Sequence, residues 1–302
     1  MFRKLVYSSA ASRLHSVPPQ ISSGNFVKAS RVLRTAIVSE AETSTSEMEI
    51  ERVYCLSDNY SWLLHDPQAG TTAVVDPAEK TPVQEKLKSK GWTLTHILNT
   101  HHHHDHVGAN LSLKKEYEGL CIVGPAADKD RIPGIDICVA DGDVYKFGSR
   151  DVHVFDTPGH TKGHITFWIP STKALFPGDT LFALGCGRLF EGDPQVMWSS
   201  LSKLLPLPDD TKVYCAHEYT QSNARFAVFI DPSNSALAKR KEEIDDMRSQ
   251  NIPTVPSLLG EEKATNPFLR PFSDSIRSHL GLGSSVPDWQ VFGVVRKAKD
   301  VF

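Results

Sequence analysis

The segment from Thr100 to His106 has the sequence THHHHDH, which crowds histidine and aspartate side chains into one turn of the chain. Neutral imidazole and carboxylate groups bind zinc, iron and manganese, so this segment alone can supply one nearly complete metal site or halves of two. Residues 93–99 are β-branched and apolar, which predicts a buried strand, and residues 107–117 predict a helix. The histidines therefore fall at the carboxyl end of a strand, where open α/β sheets bind ligands.

A run of four histidines is also typical of an affinity tag or a solvated polar loop. Tags lie at chain termini, and this run is interior. Further ligands occur in three other segments, 157–164 (TPGHTKGH), 178–179 (GD) and 214–219 (YCAHEY). Each ends or follows an apolar segment, as expected of ligands placed at strand ends, and this favours a metal site over a tag.

Composition limits the possible classes of protein. The chain has 302 residues, 40% of them hydrophobic and 23% charged, which is enough for one large domain or two ordinary ones. No apolar run approaches the roughly 20 residues that cross a bilayer, so we predict no membrane-spanning helix. The five cysteines contain no C-x-x-C pair, which fits a reducing compartment better than a disulfide framework.

Residues 1–39 contain six basic and no acidic residues, with Glu40 the first carboxylate. This pattern is typical of a transit peptide, so we predict a transit peptide and linker over 1–48 and a mitochondrial matrix location, with the plastid less favoured. A disordered basic arm is the alternative, and Met48 offers a start for a cytosolic product. Removing the six charges from the formal −3 leaves about −9, which argues against nucleic-acid binding.

The folded part is predicted to change character near Tyr219. Short strands dominate residues 49–219, whereas prolines separate helical segments in residues 220–302. We therefore predict a metal-binding domain over 49–219 and a helical domain over 220–302. The predicted strands are 51–55, 60–65, 71–77, 120–123, 135–139, 152–156, 164–169 and 173–176. The predicted helices are 82–90, 195–205, 220–229, 233–250, 257–263 and 273–280.

The order of the candidate ligands resembles that of a known superfamily. The motif Thr100-His101-x-His103-x-Asp105-His106, followed by His160, Asp179 and His217, is similar to the metallo-β-lactamase superfamily. This resemblance implies an α+β fold, an αββα sandwich in which two stacked β-sheets are flanked by helices. It also implies a binuclear metal site at the edges of the sheets, with a C-terminal helical domain in this chain.

A narrower resemblance covers the chain from about Glu49 to Phe302. The segments 185–188 (GCGR), 215–219 (CAHEY), 266–270 (NPFLR) and 296–300 (RKAKD) resemble the glyoxalase II, or hydroxyacylglutathione hydrolase, family. The resemblance implies a thioester hydrolase acting in methylglyoxal detoxification, which converts S-D-lactoylglutathione, an S-2-hydroxyacylglutathione, to D-lactate and glutathione. Residue 190, often tyrosine in that family, is phenylalanine here, so a hydroxyl contact to the thiol ligand is missing or replaced.

The resemblance also assigns roles in the metal site. It implies two divalent metal ions per subunit, zinc with iron or manganese also possible. The first metal would be held by His101, His103 and His160, the second by Asp105, His106 and His217, with Asp179 bridging both. Two such cations lower the pKa of a bridging water, so no serine or cysteine nucleophile is needed. Asp105 would also hold the nucleophile, while His102, His104 and His164 are not expected to be ligands.

Four further residues would bind the glutathione part of the substrate. The resemblance assigns Arg296 and Lys299 to the glycine carboxylate and Arg188 and Tyr219 to the peptide backbone. Residues three apart are neighbours on a helix, so a helical tail would place Arg296 and Lys299 on one face. A solvated basic C-terminus is the alternative interpretation of the charge pattern.

Two other functional classes are compatible with the histidine motif. A persulfide dioxygenase of the same superfamily uses a single iron, but lacks the long helical C-terminal domain and its basic end. A non-catalytic binding protein on the same scaffold would be expected to have lost ligands, and none is lost. Hydrolysis of β-lactams or RNA fits the C-terminal features and the acidic charge less well. The sequence leaves the oligomeric state open.

Overall fold

The computed structural model describes residues 47–302, so most of the predicted transit peptide and linker lies outside the described residues. The first sheet contains six strands that lie side by side in sequence order. They are β1 (Glu49–Cys55), β2 (Asn59–Asp66), β3 (Thr71–Val75), β4 (His96–Leu98), β5 (Cys121–Pro125) and β6 (Ile137–Val139). The pairs from β1 to β3 are antiparallel, and those from β3 to β6 are parallel. The carboxyl ends of β3, β4 and β5 therefore meet at one edge.

The second sheet has the strand order β14-β13-β10-β9-β8-β7. Its strands are β7 (Val144–Phe147), β8 (Arg150–Asp156), β9 (Ile165–Ile169), β10 (Ala174–Phe176), β13 (Lys212–Val213) and β14 (Ser257–Leu258). A small hairpin of β11 (Leu181–Phe182) and β12 (Gly185–Cys186) follows β10. Only β10 and β13 pair in parallel within the described part of this sheet. The turn after β10 leads directly into the hairpin, and this turn carries Asp179.

Helices connect and flank the sheets. Those of the first half are α1 (Lys80–Lys90), α2 (His104–Val107), α3 (Asn110–Glu116) and α4 (Pro194–Leu204). Those of the second half are α5 (Thr220–Ile230), α6 (Ser235–Ser249), α7 (Leu259–Thr265), α8 (Asp274–His279) and α9 (Asp288–Val301). The sequence Asp193-Pro194 starts α4, because the Asp193 carboxylate accepts from the Val196 N–H at 2.9 Å and proline fits the first helical turn. None of the described helices is both long and apolar enough to cross a bilayer.

Side-chain alternation along β2 divides the core into layers. Trp62 and Leu64 pack in the central core with Phe167 of the second sheet, whereas Leu63 packs in the core that α1 and α3 cover. A further core covers the other face of the second sheet, where Leu201 of α4 packs in the same cluster as Phe292 of α9. Sheets inside and helices outside confirm the predicted α+β αββα sandwich.

Most predicted elements agree with the structure, but several details were wrong. Residues 257–258 form β14 and not the start of a helix, because they pair with β13, and α7 begins at Leu259. The helix expected over 107–117 begins later, as α3 at Asn110, and a separate short helix, α2, ends at Val107. Strands β7, β11, β12 and β13 were not predicted. The tail is helical, which is the condition under which Arg296 and Lys299 share one face. The domain boundary near Tyr219 stays a prediction.

Candidate metal centre

The histidine motif follows β4 and is fixed by the neighbouring strand end. The carboxylate of Asp76, directly after β3, accepts from the Thr100 N–H at 2.8 Å and from the Thr100 hydroxyl at 2.6 Å. The Asn99 amide donates to the His106 carbonyl at 3.0 Å, which closes the turn. Since β3 and β4 are parallel neighbours, these contacts hold the turn at the edge where the strands end.

Three of the predicted ligands converge as one group, the first trio, which consists of His101, His103 and His160. The Nδ1 atom of His103 lies 3.1 Å from His101 Nε2 and 3.0 Å from His160 Nε2. Ligands at about 2.0–2.1 Å from a tetrahedral metal are separated by roughly 3.3 Å, so these nitrogens have close to the spacing of ligands around one cation.

Three more form a second group, the second trio, which consists of Asp105, His106 and His217. The Asp105 Oδ2 atom lies 3.4 Å from His106 Nε2 and 3.5 Å from His217 Nε2. Within each trio, the three ligand atoms lie within 4.8 Å of one another. A third group of this kind contains Asp76, but its carboxylate contacts the Nδ1 of His106 while the Nε2 faces Asp105.

Asp179 lies between the two trios and directs one oxygen to each. Its Oδ2 is 3.3 Å from His160 Nε2, and its Oδ1 is 3.4 Å from both His106 Nε2 and His217 Nε2. Burial opposes ionisation of Asp179, but His106 and His217 overcome it and hold the pKa of this carboxyl well below its usual range. An ionised carboxylate with its oxygens facing two ligand groups has the arrangement of a metal bridge.

Two unpaired atoms test whether metals fit this centre. His106 Nε2 and Asp179 Oδ1 are buried and have no hydrogen-bond partner among the described residues. A buried polar atom without a partner is costly unless something else binds it. Both atoms face the second trio, and imidazole nitrogen and carboxylate oxygen are competent metal ligands, so the donor set fits a binuclear metal site.

Neutral groups orient the histidines of the first trio. His101 Nδ1 lies 3.0 Å from the Thr100 hydroxyl, and His160 Nδ1 lies 2.9 Å from the Arg188 carbonyl oxygen. Burial lowers the pKa of His103 to about 4, lowers that of His101 well below its ordinary value and lowers that of His160. These rings therefore stay neutral at pH 7, which is the form that binds metal.

Carboxylates orient the histidines of the second trio. His106 Nδ1 contacts Asp76 at 3.0 Å, and His217 Nδ1 contacts Asp58 at 2.8 Å. Burial opposes protonation of both rings, but Asp179 and the partner carboxylates overcome it and raise the pKa of His106 and of His217. Carboxylate–histidine pairs of this kind fix the tautomer and raise ligand basicity.

A hydrogen bond from Asn59 also orients Asp105. The Asn59 amide donates to Asp105 Oδ2 at 2.9 Å. Burial opposes its ionisation, but the hydrogen bond and charge of His106, together with the Asn59 contact, hold the pKa of Asp105 well below its usual range. Asp105 is thus ionised at neutral pH.

The three histidines excluded as ligands lie outside both trios. His102 contacts Asp128 at 2.9 Å, and His104 is exposed at the start of α2. His164 is buried, with Nδ1 near two threonine hydroxyls, and its Nε2 accepts from the Asp179 N–H at 3.1 Å. Gly178 lies at φ +48°, and a Cβ there would meet the Thr100 hydroxyl at 2.4 Å. Gly178 and His164 together set the position of Asp179.

A cavity of about 750 Å³ opens beside the centre. His160 and Asp179 line its inner end, and the four residues predicted to bind glutathione line its walls: Arg188, Tyr219, Arg296 and Lys299. The Tyr219 ring stacks on His217 at 4.7 Å between centroids. The structure therefore brings all four predicted substrate-binding residues to one cavity, together with two of the seven predicted metal ligands.

The two tail cations differ in their environment. Arg296 is 5% exposed, donates to the Cys186 carbonyl at 2.9 Å and pairs with Asp300 at 3.0 Å, while its buried Nε has no partner among the described residues. Burial, Arg296 and Arg225 lower the pKa of Lys299 to about 8. Arg296 thus has structural contacts as well as a face on the cavity.

Sequence reasoning missed several residues of the centre. Asp58, Asn59 and Asp76 contact ligands directly, and Arg225 adds a cation to the cavity wall. Asp76 carried a usable signal, because it directly follows a strand that is parallel to the strand before the histidines. Arg225 lies two turns after Tyr219 in α5, on a helix that was predicted without its cavity-facing side being considered.

Comparison with known proteins gives the family. Residues 57–217 match the model of the metallo-β-lactamase superfamily, and residues 218–302 match the model of the hydroxyacylglutathione hydrolase C-terminus. Hydroxyacylglutathione hydrolase from Methylococcus capsulatus is 56% identical over 84% of this chain and 99% of its own length. The protein of the same name from Brucella anthropi is 54% identical over 84% of this chain and 97% of its own length.

Solved structures support the same fold. ETHE1 from Myxococcus xanthus is similar with a TM-score of 0.58 at 23% identity, over 83% of this chain and 97% of that one. The BLEG-1 B3 metallo-β-lactamase has a TM-score of 0.56 at 21% identity, over 74% of this chain and 100% of that one. From its sequence matches and its fold, the chain belongs to the hydroxyacylglutathione hydrolase family of the metallo-β-lactamase superfamily.

Proposed function

We propose that this chain is a binuclear-metal thioester hydrolase that cleaves S-2-hydroxyacylglutathiones, with S-D-lactoylglutathione the expected substrate and D-lactate and glutathione the products. The observation that carries the proposal is the position of Asp179, whose two oxygens face two separate ligand trios at the inner end of a cation-lined cavity. The names of the relatives support the thioester chemistry.

Seven residues would hold the two metals, namely the first trio, the second trio and the bridging Asp179. When bound, a pair of divalent cations supplies a nucleophilic water at neutral pH and Lewis-acid polarisation of a carbonyl. The donors are nitrogen and oxygen only, which suits zinc and also iron or manganese. Zinc is our first expectation, and metal analysis of the purified protein tests it.

The chain's own residues prepare the attack. Asp105 is ionised and its Oδ2 is fixed by Asn59, so it can accept a hydrogen bond from the attacking water and orient it. The leaving group is a thiolate whose conjugate acid has a pKa near about 8.5 by analogy with cysteine, so it departs without much protonation. This chemistry explains why the cavity needs no dedicated general acid.

Cations on the cavity wall would select glutathione, which carries two carboxylates. Arg296 and Lys299 lie three residues apart on α9 and both line the cavity, which suits the glycine carboxylate. Arg188 is exposed and lines the same cavity, and Tyr219 lies beside the second trio, which suits the peptide backbone. Phe190 lines the same cavity and offers no hydroxyl, so its contact to the thiol portion is apolar.

The test measures metal content per chain together with loss of thioester absorbance on S-D-lactoylglutathione, using the full-length protein. Two metals per chain with hydrolysis are expected. One iron per chain, no hydrolysis and oxygen uptake with glutathione persulfide would overturn the proposal in favour of a dioxygenase. A metal-free protein that binds the thioester without cleaving it would instead indicate a binding protein.

We also propose a mitochondrial matrix location, supported by the basic, acid-free composition of residues 1–39. Fusion of residues 1–48 to a fluorescent protein tests this proposal, since import is expected from that segment alone. The same fusion with its six basic residues changed to glutamine is the matched control. A diffuse cytosolic signal from the unaltered fusion would contradict the proposal, as would import of both fusions to the same extent.

A further inference from the structure

A chain of charged side chains runs along the first-trio side of the centre. Asp128 is 2% exposed, and its Oδ2 contacts His102 Nδ1 at 2.9 Å. Its other oxygen accepts from Arg131 Nη2 at 2.5 Å. Because His102 lies between His101 and His103 in the sequence, Asp128 links the ligand-bearing turn to Arg131.

Arg131 also binds Glu191, which lies in the loop after β12. Its Nη1 donates to Glu191 Oε1 at 2.5 Å and its Nη2 to Oε2 at 3.0 Å, so the two groups meet through parallel hydrogen bonds. Glu191 Oε2 also accepts from the Lys162 N–H at 2.7 Å, two residues after His160. One guanidinium therefore joins the loops that carry two parts of the first trio.

The turn that carries His103 and the loop that carries His160 pack closely enough for the Arg131 hydrogen bonds to control the distance between them. A Cβ at Gly163 would lie 2.2 Å from the Asp128 carboxylate, so the backbone after His160 rests directly on that carboxylate. Phe190, next to Glu191, places its ring 5.2 Å from the His160 ring and 5.8 Å from the His103 ring.

We propose that Arg131 is a positioning residue for the first trio, because its bonds to Asp128 and Glu191 keep the turn of His103 and the loop of His160 at metal-binding separation. The inference rests on the proposed metal site but not on the identity of the substrate. Among the described residues, no comparable ion pair joins the loops of the second trio, whose histidines contact carboxylates directly.

A geometric role fits the exposure of the pair better than a stabilising one. Arg131 is 37% and Glu191 24% exposed in their side chains, and ion pairs at such positions contribute little to the free energy of unfolding. Residues bonded directly to metal ligands, in contrast, typically change metal affinity by about 10–100-fold when removed, and Arg131, which acts one contact further out, is expected at the lower end of that range. Losing the bond to Glu191 is therefore expected to affect metal binding more than folding, whereas losing the bond to the buried Asp128 carboxylate also lowers stability.

The experiment titrates zinc-loaded full-length protein with a chelator and follows two dissociation steps. His160→Ala and His217→Ala assign each step to one trio. Arg131→Gln is expected to weaken the first-trio step by about tenfold and leave the second-trio step unchanged. Arg131→Lys keeps the charge but not the two parallel bonds, so it is expected to give an intermediate shift.

Arg277→Gln is the matched control. Arg277 also bonds a carboxylate, that of Asp288 at 2.6 Å, and two backbone carbonyls, but it does not line the cavity. The Arg277→Gln substitution should lower the unfolding temperature of the metal-free protein without changing either zinc dissociation step. An equal loss of zinc from the Arg131 and Arg277 variants would overturn the proposal.

Glu191→Gln keeps the proposal testable if Arg131→Gln does not fold. It keeps an acceptor for the Lys162 N–H but loses the charge, and the same selective weakening is expected. Wild-type affinity at both steps in Glu191→Gln and Arg131→Lys would overturn the positioning role. Because chelator titration uses no thioester, a chain that lost first-trio zinc selectively but never cleaved S-D-lactoylglutathione would support the positioning role and refute the proposed function.

Discussion

The two trios of the metal centre differ in what surrounds them. The first trio contains three imidazoles, oriented by a hydroxyl and a backbone carbonyl, and its loops are joined through Arg131. The second trio contains a carboxylate ligand, and two further carboxylates, Asp58 and Asp76, contact its histidines. Negative charge prepares the second trio for a cation, whereas packing and geometry prepare the first. Similar ligand types can thus be preorganised in two physically different ways.

Asp179→Asn should give the largest effect, because it removes the one carboxylate among residues 47–302 that faces both trios. We expect both metals to be weakened and kcat to fall by at least about 10³-fold, more than the 10–100-fold typical of an outer partner. Metal analysis and thioester hydrolysis measure this. Asp210→Asn, at an exposed aspartate paired with Lys173, is the control. Loss of only one metal would mean that Asp179 does not bridge.

Ligand removal from one trio at a time separates the two sides. His160→Ala should remove first-trio metal and most of kcat, because one of three imidazoles is lost, while the second trio keeps its metal. His217→Ala should do the converse. Metal content falling from about two to about one per chain in each variant is the measured result. Unchanged metal content and turnover in His160→Ala would refute its assignment as a ligand.

The sequence predicted the ligands better than their supports. All seven predicted ligands lie in short local motifs at strand ends, so their order along the chain matched that of the superfamily and the resemblance assigned them. Asp58 and Arg131 have no such signal, because their contacts join positions that are 159 and 60 residues apart in the chain. Which surface carboxylate contacts a ligand, and which guanidinium joins the ligand-bearing loops, depends on loop packing, and neither composition nor periodicity encodes that packing.

The fold shows the same limit. For helices with several turns of periodic sequence, such as α5 and α6, both ends were predicted to within one or two residues. Ser257 and Leu258 were assigned to a helix, because a two-residue strand is defined by its partner β13 and not by its own sequence. Elements stabilised by long-range pairing are therefore the ones that local analysis misses.

Asp58→Asn tests whether charge prepares the second trio. It keeps the size of the side chain but removes the carboxylate 2.8 Å from His217 Nδ1, so the ring becomes less basic. We expect second-trio metal affinity to fall about 10–100-fold with first-trio affinity unchanged. The chelator titration resolves the two steps. A loss shared by both steps would break the distinction between the trios.

Arg296→Ala should leave metal binding by both trios unchanged and weaken substrate binding. If Arg296 binds the glycine carboxylate equally in the ground and transition states, KM rises while kcat changes little. Loss of one charged hydrogen bond predicts a rise of about tenfold or somewhat more. Steady-state kinetics with S-D-lactoylglutathione measure it, with Lys297→Ala, at an exposed neighbour, as the control. An unchanged KM would contradict a carboxylate-binding role.

Lys299 should make substrate capture sensitive to pH without involving either trio. Its pKa is lowered to about 8, first by burial and then by Arg296 and Arg225, so its positive charge is present below that pH and is lost above it. Because kcat/KM reports groups of the free enzyme, we expect kcat/KM to fall as pH rises through about 8. In Lys299→Arg the guanidinium keeps its charge, so this fall should disappear while metal content stays constant. A fall that persists in Lys299→Arg would assign it to the metal centre, and substrate capture would then depend on the same charges that distinguish the two trios.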